Sequence, residues 1–160
     1  MIRIGILGDI GSGKSFVAKA FGYPVFNADS EVGNIYKKNK KVFTKLKKKI
    51  PKHISKFPID KNEVTTAILS NKSNLKKIIK IVHLEVRKNM ELFLKKNIKK
   101  KIVILDIPLL LENKINKKKD ILIFVDSKKK QVEKRLKKRV NFNYKIFNKF
   151  KKIQLPIDYK

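Results

Sequence analysis

The sequence predicts an α/β fold, a parallel sheet with helices on both faces, and three observations carry that expectation. Short apolar runs end at glycine or aspartate in IRIGIL (2–7), PVFNAD (24–29), KIVILD (101–106) and DILIFVDS (120–127). Segments with apolar residues at helical spacing lie between those runs. The turn after the first run is glycine-rich and leads straight into a helix-compatible stretch.

Taken in chain order, residues 2–7 fit a buried parallel strand because the run is apolar and closes on Gly8. KSFVAKAF after Gly13 opens a helix that Gly22 can terminate. A second strand at 24–29 ends in polar residues. Residues 30–50 read as helical, with Val32, Ile35, Tyr36, Val42, Phe43, Leu46 and Ile50 at mostly helical spacing. PKHISKFPID is a loop, because Pro51 and Pro58 break helices. A short helix is expected at 61–70. A long amphipathic one begins near Ser73 and is marked by Leu75, Ile78, Ile79, Val82, Val86, Met90, Phe93 and Leu94. The 101–113 strand ends at Asp106 and the next at Asp126. QVEKRLKKR (131–139) and 143–152 are the last expected helices.

At 160 residues the chain is read as one domain, large enough for a substantial core. It has no cysteine, so disulfides and cysteine-based zinc sites are excluded. No apolar run approaches a membrane span, and no signal peptide is evident, so a soluble cytoplasmic protein is expected. The net charge of +29 would attract any anion. Its lysines are scattered along the whole chain, which reads as solvated surface rather than a dedicated nucleic-acid footprint.

GDIGSGKS (8–15) matches G-x-x-x-x-G-K-[ST] and sits between strand and helix, where a phosphate loop belongs. Gly8, Asp9, Ile10, Gly11, Ser12, Gly13, Lys14, Ser15 and the adjoining Phe16 are the expected nucleotide-binding stretch. The glycines allow inward-facing amides, Lys14 can reach the β- and γ-phosphates of ATP, and the Ser15 hydroxyl can ligate Mg²⁺. Ligands of parallel sheets bind at the carboxyl ends of the strands, so Asp29 and Asp106 are expected to face the same crevice. Asp29 either accepts a proton from an attacking hydroxyl or caps the helix that follows. Asp106 either holds the magnesium or is a turn residue before Pro108. Arg135 and Arg139, four apart, either close over the phosphates or belong to a solvated face. His83 and Arg87 lie one turn apart on the long helix, where a lone histidine is often simply half-buried.

GILGDIGSGKS, FNADSEV, HLEVRKNM, ILDIPLLLEN and QVEKRLKKR together resemble, in order and spacing, the dephospho-CoA kinases. DIPLLLE is the most specific of these blocks. The resemblance implies a three-layer P-loop kinase fold with a helical substrate-binding insertion (about 30–97) and a small lid (about 135–152). It implies transfer of the ATP γ-phosphate to the ribose 3′-hydroxyl of dephospho-CoA, completing coenzyme A. A monomer or at most a weak oligomer, with no membrane or specific nucleic-acid partner, is expected. By the same resemblance Asp29 is the base. His83, Arg87, Asp106, Pro108, Leu109, Leu110 and Glu112 line the acceptor site, and Arg139 is the lid arginine that contacts the ATP phosphates. Arg135, on the same helix face as Arg139, is expected beside the nucleotide from its spacing.

The chain departs from the family's usual pattern at several places. Leu7 replaces threonine and Asp9 replaces glycine, while Asn27-Ala28-Asp29 keeps only the second acid of Asp-Ala-Asp. His83-Leu84 stands for His-Pro, and Arg139-Val140 for Arg-Asp. The family continues past the segment around Gln154 and Pro156, so a last strand is expected to be missing and a sheet edge left open. The competing readings are another P-loop kinase acting on nucleosides or nucleotides, an inactive truncated chain, and a basic nucleic-acid binder. The last predicts steeply salt-dependent binding without ATP saturation.

Overall fold

Ile2–Leu7 forms strand β1, buried from Arg3 onward. The computed structural model describes residues 1–138, 142–156 and 159. Parallel neighbours flank β1 on both sides: β3 (Ile102–Asp106) with Ile4 opposite Ile104, and β4 (Ile121–Phe124) with Ile4 opposite Ile121. A short β2 (Val25–Asn27) pairs with the far side of β3, giving the order β2-β3-β1-β4. All pairings are parallel, as apolar strands joined through helices require. Among the described residues β4 pairs only with β1. Ile121 and Leu122 remain substantially exposed there, while β1 and β3 are buried along most of their length.

Two compact units divide the chain: Met1–Ala28 together with the chain from Phe93 onward, and Asp29–Leu92. The first holds the sheet. Ile4, Ile6 and Ile104 pack with Ala18 of α1 (Lys14–Ala20) on one face. On the other, Gly5 leaves room for Leu110 and Leu122, whose methyl carbons would lie 3.0–3.2 Å from any added Cβ. Helix α1 stops where expected: Gly22 takes φ +70° and its amide donates to Lys19 O.

The second unit is helical. Residues 30–50, expected as one helix, form two, α2 (Ala28–Lys38) and α3 (Lys40–Lys49). The break is Asn39, which adopts an extended conformation and accepts a hydrogen bond from Val42 N at 3.0 Å. An asparagine side chain competes with the helix for backbone donors, and here it starts a new helix instead of continuing the old one. Helix α4 (Lys61–Ser70) is capped by Asp60, and α5 (Lys72–Lys96) buries Ile78, Val82, Val86 and Met90 along one stripe. Burial pushes the Tyr36 phenol up to about 12. In the first unit the chain continues through α6 (Lys129–Lys137) and α7 (Tyr144–Lys151).

Candidate active site

The loop after β1 is shaped by its own backbone. Gly8 takes φ +140° and lies so close to the sheet edge that an added Cβ would stand 2.4 Å from Val125 O. Gly13 takes φ +102° and acts as the N-cap of α1. Few side-chain-bearing residues adopt such angles, so both positions require glycine. The Ser12 amide donates to Asp9 O at 3.1 Å, closing the turn over residues 9–12. Lys14 Nζ donates to Gly8 O at 2.9 Å and Asp9 O at 2.7 Å, so the ammonium sits inside the curve of the loop. Asp9 thus contributes its carbonyl to the lysine cradle. Gly8→Ala is expected to lower the melting temperature and abolish nucleotide binding. The strained angle alone costs about 1–3 kcal/mol, and the collision with Val125 O is added to it; thermal unfolding and calorimetric titration with ADP check this.

At the ends of the neighbouring strands, Asn27 and Asp106 stand opposite each other in the β2–β3 register, so their side chains share a face. Asn27 Nδ2 donates to Asp106 Oδ2 and lies 3.4 Å from Ser15 Oγ. One amide nitrogen therefore joins the carboxylate at the end of β3 to a hydroxyl in the first turn of α1. Asp106 is only 2 % exposed, and among the described residues no Lys, Arg or His lies within ion-pair distance of it. The sequence pattern marks Asn27 only as a missing acid. Its bridging position depends on strand register, which no local motif encodes.

Past Asp106 the DIPLLLEN segment is a string of turns, with Leu109 at φ +60°. Leu110 is 1 % exposed and packs beneath Gly5, which makes it a core residue. Pro108, Leu109 and Glu112 stay partly open, and Glu112 Oε1 accepts from Leu155 N at 2.8 Å. Arg135 lies over the phosphate loop, with Nη1 donating to Ser12 O at 2.9 Å and Gly11 O at 3.3 Å. Arg139 lies outside the described residues.

Asp29, His83 and Arg87 belong to the second unit. Asp29 is in the first turn of α2, one residue past the end of the sheet unit. A carboxylate there complements the helix dipole. Burial, reinforced by the neighbouring Arg87 guanidinium, lowers the His83 pKa below its ordinary value of 6.5. The imidazole is therefore neutral at pH 7. A depressed histidine contributes stability that is full above the unfolded value and is lost as pH falls through the folded one. His83→Gln is accordingly expected to flatten the decline in melting temperature between pH 6.5 and 5, as scanning calorimetry across that range would show.

This arrangement can hold a polyphosphate against loop amides and an ammonium, with a buried acid alongside. The family model for dephospho-CoA kinase matches residues 2–160. The chain belongs to the dephospho-CoA kinase family. Among similar members, the dephospho-CoA kinase of Wolbachia sp. subsp. Brugia malayi is 35% identical over 98% of this chain and 83% of its own. That of Aquifex aeolicus is 31% identical over 100% of this chain and 84% of its own. The crystal structure of TT1252 from Thermus thermophilus matches with a TM-score of 0.78 and 28% identity, covering 99% of this chain and 82% of that one. Membership fixes the P-loop kinase-like fold and the kinase class.

Proposed function

We propose that the protein transfers the γ-phosphoryl group of ATP to the ribose 3′-hydroxyl of dephospho-CoA, giving coenzyme A and ADP. Family membership supports the reaction, and one observation carries the placement: the phosphate loop and the buried Asp106 meet at the carboxyl ends of adjacent parallel strands. The loop amides and Lys14 gather the β- and γ-phosphates, where negative charge shifts as the bond to ADP breaks. Asp29 accepts the 3′-hydroxyl proton while that oxygen attacks the γ-phosphorus. The family resemblance assigns His83, Arg87 and the residues Asp106, Pro108, Leu109 and Glu112 to the acceptor; the neutral imidazole offers hydrogen bonds and the guanidinium offers charge. Leu110 supports the turns from below.

Ser15 Oγ and the Asp106 carboxylate would hold Mg²⁺. They fit it, because both are hard oxygen donors around one amide and the buried carboxylate has no cation of its own among the described residues. Bound there, the ion would neutralise charge on the phosphate oxygens.

A coupled ADP-release assay over a panel of acceptors tests the reading. Turnover is expected with dephospho-CoA and not with nucleosides or nucleotides. Faster turnover with a nucleoside would make the chain a different P-loop kinase. Family membership and the assembled loop favour neither that alternative nor a nucleic-acid binder.

A further inference from the structure

Two side chains outside the phosphate-loop motif hold its backbone. Ser127, three residues past β4, donates from Oγ to Ser12 O at 2.7 Å. Arg135 Nη1 donates to the same carbonyl at 2.9 Å, to Gly11 O at 3.3 Å and to Ser127 Oγ at 3.0 Å. Helix α6 is seated directly on the loop. A Cβ added at Gly11 would meet Val132 Cγ1 at 2.9 Å and Leu136 at 3.2 Å, and one at Gly13 would meet Arg135 Nη1 at 3.4 Å.

We propose that Ser127 and Arg135 form a positioning clamp that fixes the direction of the loop amides for the nucleotide. A trans peptide unit is planar, with its C=O and N–H pointing opposite ways. Pinning Ser12 O toward α6 therefore turns the Gly13 N–H away from the clamp. Lys14 holds Gly8 O and Asp9 O, so carbonyls at both ends of the loop have fixed donors. A loop held this way binds phosphate without first losing backbone freedom, which is how preorganisation raises affinity. Among the described residues Arg135 uses only Nη1 in these bonds, which leaves Nε and Nη2 able to face a phosphate.

The inference rests on the nucleotide-binding reading and is separable from the choice of acceptor. Ser127→Ala, Ser127→Thr and Arg135→Ala, singly and with Arg135→Ala combined with Ser127→Ala, are compared with the parent protein. The readouts are ADP–Mg²⁺ titration by calorimetry, KM for each substrate, and melting temperature. Ser127→Ala is expected to raise the ADP Kd and the ATP KM about three- to tenfold, the effect of one lost hydrogen bond. The KM for dephospho-CoA and the melting temperature stay put, Thr restores ADP binding, and the double variant loses less than the sum of the singles. Wild-type ADP affinity in Ser127→Ala overturns the clamp, as do equal losses in both KM values. A parent protein that binds ADP but does not phosphorylate dephospho-CoA removes the assigned acceptor and leaves the clamp to be judged by the Kd values. A parent that binds no ADP ends both.

Discussion

Asp29→Asn is expected to lower kcat about 10²- to 10⁴-fold, the range that a positioned general base contributes, while leaving the KM for ATP nearly unchanged. In the proposed reading the nucleotide is gripped by the loop amides and Lys14, and Asp29 acts on the acceptor hydroxyl instead. An asparagine keeps the volume and loses the proton acceptor, so the 3′-hydroxyl would have to attack without one. A second role for Asp29 makes the opposite forecast. In the first turn of α2 its charge also complements the helix dipole, worth about 0.3–1 kcal/mol. If that were its only task, Asn would lower the melting temperature slightly and leave kcat alone. Steady-state kinetics and thermal unfolding on one preparation separate the two. Unchanged kcat would remove Asp29 from the chemistry.

The largest effect on stability is expected at Asp120. Arg3 sits in the buried central strand, and its Nη2 meets Asp120 Oδ2 at 2.9 Å with the two side chains 9% and 4% exposed. The same guanidinium donates to Ile115 O at 3.3 Å, and Asp120 Oδ2 accepts from Lys117 N at 2.8 Å. Among the described residues Arg3 Nε is buried without a hydrogen-bond partner, and Asp120 supplies the one carboxylate this charge meets. Asp120→Asn leaves the cation buried and unpaired, at a cost of about 3–5 kcal/mol. For a chain of this length that corresponds to a fall of about 10 °C in melting temperature. Replacing both partners by leucine should recover most of the loss, since two well-packed apolar residues need no counter-charge. Denaturant unfolding of the three proteins is the check. A single variant as stable as the parent would show that the pair does not hold β4 against β1.

Arg3 also shows where local pattern stops being informative. IRIGIL reads as an apolar strand, and it is one, but the partner of its only charge stands 117 positions away. Helix boundaries were legible where a residue acts on its own neighbours, as Gly22 does at the end of α1. They failed at Asn39, where a local cap competed with helical periodicity and won. The phosphate loop was legible whole, because its function requires glycine, lysine and serine at fixed spacing. Asn27, Ser127 and the loop-facing edge of Arg135 were not, because they meet the site through register and helix packing.

The sequence by itself determined that parallel strands alternate with helices, that a glycine-rich turn carrying Lys14 and Ser15 joins the first strand to its helix, and which family the motifs resemble. Those properties follow from periodicity and backbone angles, which depend on neighbours a few residues apart. Only the tertiary structure decided that Asp106 lies buried under Asn27, that Leu110 belongs to the core, and that α6 braces the loop. These depend on which strands pair and in what register, and that is fixed by burying apolar surface across the whole unit.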